Sequence, residues 1–128
     1  MQPVEVVGVG NAIVDVLVTT TDEFVDQQGL AKGSMTLIDA DRASELYGLL
    51  GAEAVKASGG SAANTVAGVA SFGGSASYIG KVNDDDLGQF FARDMNSIGV
   101  RFDQTPANGG PATAMWVVLV TPDAQRTM

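Results

Sequence analysis

The sequence predicts an α/β fold: a parallel sheet with helices on its faces and a smaller layer of strands beside it. Short β-branched runs alternate with helix-like segments, which is typical of βαβ units. Two pairs of strand-like runs follow each other without a long helix between them, which favours a small antiparallel flap. The 128 residues, 45% hydrophobic and 17% charged, have a globular composition and suffice for one domain with a core.

The N-terminal third is predicted to form strands on both sides of a short helix. Residues 4–10 (VEVVGVG) and 11–20 (NAIVDVLVTT) are rich in valine and other β-branched residues, which indicates strands. The next segment, TDEFVDQQG, is typical of a short helix that begins with a capping box at Thr20 and ends at Gly29. Residues 34–40 (SMTLIDA) are predicted to form another strand.

The rest of the chain is predicted to add three helices and three strands. The first helix, DRASELYGLLG, is capped by Asp41 and has its leucines on one face. The second covers about residues 62–72, and SASYIGKV is a strand. NDDDLGQFFARDMNSIG is the clearest amphipathic helix, and Gly99 ends it. The runs VRFDQTP and ATAMWVVLVT, on either side of the loop ANGGPA, are predicted strands.

Charge and composition exclude several classes of function. The formal net charge is −8, whereas nucleic acids and anionic membranes attract a basic surface, so neither is an expected partner. The chain has no Cys and no His, which excludes a disulfide framework, a Cys/His zinc site and His-based acid–base catalysis within it. No signal peptide and no run of ~20 apolar residues is present, so a cytoplasmic location is predicted.

The segment SGGSAAN, residues 58–64, is the most informative motif. Gly59 and Gly60 precede a helix of small residues, and Gly60 would let a ligand approach main-chain amides without a Cβ in the way. Asn64 can donate and accept at once, as a polyhydroxylated ligand requires, and the helix dipole adds partial positive charge. The alternative is structural, with the glycines forming a tight turn and the small helix packing closely on the sheet.

The segment GNAIVD holds two further polar candidates, Asn11 and Asp15. Residues four apart in a straight strand point to one face about 13 Å apart, and a bend after Gly10 would bring both towards one ligand. The alternative is that Asp15 faces solvent. A dinucleotide site is disfavoured, because Ile13 occupies the position of the third glycine and a strand follows instead of a helix.

The acidic run NDDD, residues 83–86, is interpreted as a helix cap. Acidic residues are common in a first helical turn because they cap it and interact favourably with the dipole. A metal site at this run is therefore not expected.

Taken in order, GNAIVD, SGGSAAN and GKVNDDDLG resemble the N-terminal part of the PfkB, or ribokinase, family of carbohydrate and nucleoside kinases. The resemblance covers nearly the whole chain and is greater to the adenosine-kinase-like branch. Asn83 stands where the family often has Gly, and Asn tolerates the left-handed conformation that such a turn needs. Val66 stands where many sugar kinases have a small residue, which again favours the adenosine-kinase-like branch.

The resemblance implies a ribokinase-like doubly wound sheet with a small β-lid. It implies a core of about 1–10 and 41–100 and a lid of about 11–40 and 101–128. The residues expected to bind sugar hydroxyls are Asn11, Asp15, Gly59, Gly60 and Asn64. Met35 and Leu37 would line the lid, and Arg126 resembles the basic residue that approaches the transferred phosphoryl group.

The family transfers the γ-phosphoryl group of ATP, with Mg²⁺, to a primary hydroxyl of a sugar or nucleoside. Its catalytic Asp lies in a Gly-Ala-Gly-Asp-type turn, and neither that turn nor an ATP pocket is recognisable here. We therefore expect an inactive N-terminal fragment of a kinase that binds a nucleoside or sugar. The alternative is a non-catalytic module that binds sugar or dimerises through the lid strands. A homodimer through the lid strands is also a possible assembly of the kinase fragment. The sequence does not choose among adenosine, other nucleosides, ribose and fructose-like substrates.

Overall fold

Both strands and helices are spread along the chain in the computed structural model, which describes residues 3–128. The elements in chain order are β1 Val6–Val9, β2 Ile13–Thr19, α1 Asp22–Gln27, α2 Ala40–Leu50, β3 Val55–Gly59, α3 Ser61–Ser71, β4 Ala76–Ile79, α4 Asp86–Ser97, β5 Val100–Arg101, β6 Ala114–Val120 and β7 Arg126–Thr127. The α/β class predicted from the sequence is confirmed. None of the described helices is long and apolar enough to cross a membrane.

The chain divides into two units. The first comprises Met1–Val14 and Ala57–Ala114, and the second comprises Asp15–Lys56 and Met115–Met128. The core and lid boundaries expected from the family resemblance stay a prediction. Each unit is described by itself below.

The first unit contains a parallel sheet of order β1-β4-β5. Gly8 of β1 lies opposite Tyr78 of β4, and a Cβ at Gly8 would come within 2.7 Å of the Val66 side chain on α3. Helix and strand can therefore approach closely only because glycine stands at this point of β1. Ala62 of α3 is also close to this strand, since a Cβ at Gly10 would lie 3.0 Å from its Cβ, so a small residue of α3 has the packing role that the structural alternative predicts.

An aromatic cluster forms the core of the first unit. Tyr78, Phe91 and Phe102 are buried, with ring centroids 5.1 to 6.1 Å apart. Leu87 and Met95 of α4 are also buried, as the helical spacing predicts, whereas Ile98 is 41% exposed. Because the apolar face of α4 packs into this cluster, the helix is fixed against the parallel sheet.

Asp85 caps α4, which confirms the interpretation of NDDD. Its Oδ1 accepts from the Gly88 main-chain N–H at 2.7 Å and from the Thr113 hydroxyl at 2.6 Å, and its Oδ2 accepts from the Thr113 N–H at 2.9 Å. Asn83 does not take a left-handed conformation, since Ala124 is the only described non-glycine residue with positive φ. Instead its side-chain amide donates to the Pro111 carbonyl at 3.0 Å, which holds the loop directly.

A four-stranded sheet has the order β3-β2-β6-β7, and most of its residues belong to the second unit. Strands β6 and β7 form an antiparallel hairpin, in which Val120 pairs with Arg126. A small apolar core of Val18, Val25 and Leu119 lies beneath it. The flap of strands predicted from the sequence is therefore present, and β6 and β7 pair in the antiparallel sense within it.

Two predicted caps are wrong by one or two residues. Thr20 extends the sheet, because its N–H donates to the Val120 carbonyl at 2.9 Å, so the cap is Thr21, whose hydroxyl accepts from the Phe24 N–H at 3.1 Å. Asp39, not Asp41, caps α2, by accepting from the N–H of Arg42 at 2.8 Å.

Some predicted strands also differ. Residues 34–40 form no strand, although Ser34 and Thr36 each share one main-chain hydrogen bond with Met128. VRFDQTP is reduced to the two residues Val100–Arg101. β3 and β7 were not predicted from the sequence.

Candidate functional site

The two motifs singled out in the sequence meet in the first unit. Gly60 has φ 98° and ψ 145°, and a Cβ on it would lie 2.9 Å from the carbonyl oxygen of Asn11. Residues with side chains rarely adopt this backbone conformation, so both the angle and the close approach require glycine. The turn before α3 therefore packs directly on the turn that follows β1, near the carboxyl end of that parallel strand, where α/β folds bind ligands.

The N-terminus of α3 is open to a ligand. Its N-cap, Gly60, has no side chain to accept from the first-turn N–H groups, and the first helical bond runs from the Asn64 N–H to the Gly60 carbonyl at 2.9 Å. The side chains of Asn11 and Asn64 are exposed and make no hydrogen bond within residues 3–128. The Asn64 amide and the unpaired main-chain donors of the first turn are thus available in a region of partial positive charge, and the turn that carries Asn11 packs against this helix start.

Sequence reasoning missed a residue that supports this turn. Asp94 of α4 accepts through Oδ2 from the main-chain N–H of Ser58 at 3.0 Å, immediately before Gly59. The carboxylate thereby ties the end of β3 to α4. Nothing in the sequence pairs these two positions, which are 36 residues apart.

A cavity of about 490 Å³ lies beside the turn after β1. Its lining residues include Gly10, Asn11, Lys81, Asn83 and Thr113. The Lys81 ammonium donates to the Thr105 carbonyl at 3.2 Å. The cavity therefore combines an open amide, a hydroxyl and a cation within the first unit.

Asp15 belongs to the second unit and is half-buried on β2. Within the described chain its Oδ1 is buried without a hydrogen-bond partner, and burial raises the pKa of the carboxyl above its ordinary value. An exposed, solvated carboxylate would show neither property. The solvent-facing alternative for Asp15 is therefore disfavoured, since a buried acceptor without a partner calls for a ligand or water donor.

Met35, Leu37 and Arg126 also lie in the second unit. Met35 is 71% exposed and Leu37 99% exposed, and both line a cavity of about 170 Å³ with other apolar side chains. Two main-chain bonds join their segment to the end of β7: Thr36 N–H to the Met128 carbonyl, 2.9 Å, and Met128 N–H to the Ser34 carbonyl, 3.0 Å. Arg126, on β7, is exposed and makes no ion pair within residues 3–128.

The turn of the β6–β7 hairpin is held by charge. Lys32 lies 2.6 Å from an oxygen of Asp22 and 2.7 Å from one of Asp123. The hydrogen bond from Lys32, followed by that from the Thr121 hydroxyl, lowers the pKa of Asp123 to about 2. This cluster was not predicted from the sequence, and it fixes the hairpin that carries Arg126.

Across residues 3–128, no group of three or more Asp, Glu, His or Cys side chains is arranged to hold a metal ion. No step of the function proposed below is assigned to a metal held by this chain.

The family is decided by a match over most of the chain. The family model for "pfkB family carbohydrate kinase" matches residues 28–128. The chain belongs to this family. The resemblance noted in the sequence is thereby confirmed, and the pfkB-family fold accounts for the parallel sheet and the extra strands.

Solved structures and curated relatives agree with the assignment. The adenosine kinase from Sinorhizobium meliloti is 50% identical, with a TM-score of 0.78 over 98% of this chain and 38% of that one. A probable sugar kinase from Rhizobium etli CFN 42 is 44% identical, with a TM-score of 0.79 over 100% of this chain and 38% of its own. The probable chloroplastic fructokinase-6 of Arabidopsis thaliana is 38% identical over 56% of this chain and 18% of its length. The pfkB-family chain thus spans well under half the length of these relatives.

Proposed function

We propose that this pfkB-family chain is the substrate-binding and lid part of an ATP-dependent kinase that phosphorylates the primary hydroxyl of a nucleoside or sugar. The observation that carries the proposal is the packing of Gly60 on the main chain of Asn11. It joins the two motifs and leaves the amides of Asn11 and Asn64 exposed at an uncapped helix N-terminus. Paired donors and acceptors of this kind suit vicinal hydroxyls.

The proposal assigns roles to residues on each unit. Gly59 and Gly60 present main-chain groups to the sugar, and the two asparagines bind its hydroxyls. On the second unit, Asp15 accepts hydrogen bonds from the substrate, which would supply the partner that its buried Oδ1 lacks.

Three further assignments follow the family resemblance. Met35 and Leu37 contact the apolar part of the substrate, and Arg126 stabilises the transferred phosphoryl group. ATP, Mg²⁺ and the catalytic Asp are assigned to the whole kinase rather than to this chain. A cytoplasmic location and a homodimer through lid strands also stay predictions.

Among substrates, we propose an adenosine-like nucleoside first. The adenosine kinase relative shares 50% identity over 98% of this chain, whereas the fructokinase relative shares 38% over 56%. The cavity beside Met35 and Leu37 is lined mainly by apolar side chains, which suit a flat heterocycle better than a free hexose.

The test is phosphorylation by the longer kinase that carries this chain, with labelled ATP and a panel of adenosine, other nucleosides, ribose and fructose. We expect adenosine to give the highest kcat/KM and the isolated 128-residue chain to give no product. Saturable binding of the panel without phosphorylation by the longer protein would favour the non-catalytic sugar-binding module instead. Absence of both binding and turnover would refute the proposal.

Asp15 gives the sharpest variant. A hydrogen bond to a charged group contributes roughly 1.5–3 kcal/mol, so Asp15→Ala should lower kcat/KM on the order of tenfold to a few hundredfold. The loss should shrink for a deoxy analogue that lacks one of the bonded hydroxyls, because the two losses are coupled. Asp26→Ala is the matched control, since Asp26 is an exposed aspartate on α1. Equal kinetics for both variants on all substrates would remove Asp15 from the site.

A further inference from the structure

The hydroxyl of Tyr78 is a buried polar group that the packing of the fold does not explain. Tyr78 is 0% exposed, and its Oη has no hydrogen-bond partner within residues 3–128. Burying an unpaired hydroxyl destabilises a protein, and phenylalanine would fill the same space without that cost. Packing alone therefore does not account for a tyrosine at this position.

The hydroxyl lies behind the turn that carries Asn11. A Cβ at Gly8 would lie 3.4 Å from Cδ2 of the Tyr78 ring, whereas a Cβ at Gly10 would lie 3.3 Å from Oη. The ring thus extends along β1 from Gly8 towards Gly10. The same Cβ at Gly10 would lie 3.0 Å from the Cβ of Ala62, so Oη is placed between the end of β1 and the first turn of α3.

The ring is held rigidly on its other sides. Phe91 and Phe102 pack against it at centroid distances of 5.7 and 6.1 Å. A Cβ at Gly80 would lie 2.7 Å from Cε1 of the ring and 3.0 Å from the Gly10 carbonyl oxygen. An acceptor of the glycine turn is therefore close to the phenol, and the glycines beside it carry no side chain that would oppose a small rotation of the peptide.

We propose that Tyr78 is a positioning residue for the Gly10–Asn11 turn, whose hydroxyl donates to the main chain of that turn when substrate occupies the candidate site and is unpaired when the site is empty. The inference rests on the proposed function, since the substrate is the nucleoside or sugar that Asn11 and Asn64 bind. A hydrogen bond made only in the liganded form increases affinity, while its absence in the free form lowers stability. Tyr78 thus acts through Asn11 and does not touch the substrate.

The test compares Tyr78→Phe with Tyr47→Phe in the longer kinase, with adenosine and D-fructose as probes. Loss of one hydrogen bond between neutral groups should weaken binding by about threefold to tenfold, measured with whichever of the two probes the kinase phosphorylates. The KM for that probe should rise by a similar factor, the KM for ATP should not change, and the melting temperature without ligand should stay equal or rise. Tyr47 is the matched control, because its hydroxyl accepts from Lys56 at 3.4 Å in the second unit, and its loss should leave affinity unchanged.

Two outcomes would overturn the inference. Unchanged affinity in Tyr78→Phe would show that the hydroxyl has no part in binding. A lower melting temperature, together with equal losses of affinity for ATP and for the nucleoside or sugar, would show a purely structural role. Asn64→Ala separates this inference from the proposed function: if Asn64→Ala lowers affinity and Tyr78→Phe does not, only the role of Tyr78 fails, whereas no effect of Asn64→Ala contradicts the proposed function itself.

Discussion

Replacing Gly60 by alanine tests the observation on which the candidate site depends. The backbone of Gly60, at φ 98° and ψ 145°, is a conformation that costs a residue with a side chain on the order of 1–3 kcal/mol. The added Cβ would also lie 2.9 Å from the Asn11 carbonyl oxygen, a main-chain atom that cannot rotate away. Overpacking of this kind costs about 1–3 kcal/mol more. Gly60→Ala should therefore lower the free energy of unfolding by about 2–6 kcal/mol in total.

Gly68 is the matched control, because it lies within the same helix. It has helical geometry, and a Cβ on it would meet nothing within 4 Å. Gly68→Ala should therefore raise the free energy of unfolding by about 0.5–1 kcal/mol, through the higher helix propensity of alanine. Both variants are measured by denaturant unfolding of the 128-residue chain. Shifts of the same sign, or a loss below about 0.5 kcal/mol for Gly60→Ala, would contradict the close approach of the two turns.

Two further predictions concern the cap of α4 and the β6–β7 turn. For Asp85, burial raises the pKa, but hydrogen bonds from Thr113 and Gly88 outweigh it, so the folded-state pKa lies below its ordinary value. The stability that the Asp85 carboxylate contributes is present above pH ~3.9 and is lost as pH falls through the folded-state pKa. The melting temperature of Asp85→Asn should therefore be lower than that of the unmodified protein at neutral pH, and this difference should shrink as pH is lowered. A difference that stays constant across the pH series would contradict this. Ala124 has φ 64°, a conformation that glycine adopts more readily than alanine. Ala124→Gly should therefore raise the free energy of unfolding by up to about 1 kcal/mol in denaturant unfolding. Ala112→Gly is the control and should not raise it, because Ala112 is an exposed loop residue without positive φ.

The elements that sequence patterns predicted are those whose signal is local. Helix α4 combines a helical apolar period with an acidic cap and a terminating glycine, so its place was clear within a few residues. The glycine pair Gly59–Gly60 likewise marks the start of helix α3. The cap of α1 was misplaced by one residue, because two threonines are adjacent and only the sheet bond of Thr20 decides between them.

The features that the sequence did not predict depend on residues distant in the chain. β7 is two residues long, and its pairing with Val120 gives no periodic signal. The bond from Ser58 to Asp94 and the position of Tyr78 behind Gly10 exist only after the elements have packed. The motif residues Asn11 and Asn64 could be identified as candidates because both the residue type and the neighbouring glycines are visible in the sequence, whereas their supporting residues could not.

The buried polar groups of the chain differ in a way that bears on function. The hydroxyls of Thr113, Thr121 and Thr127 are buried and hydrogen-bonded, as groups with a purely structural role should be. Within residues 3–128, the buried side-chain atoms without a partner are Oδ1 of Asp15 and Oη of Tyr78. If these two groups served stability alone, removing either would lower the melting temperature without a specific loss of substrate affinity. If they serve binding, Asp15→Asn and Tyr78→Phe should raise or preserve the melting temperature of the free protein while they weaken substrate binding. The opposite signs of the two effects follow from an unpaired group in the free state that finds its partner only when the site is occupied.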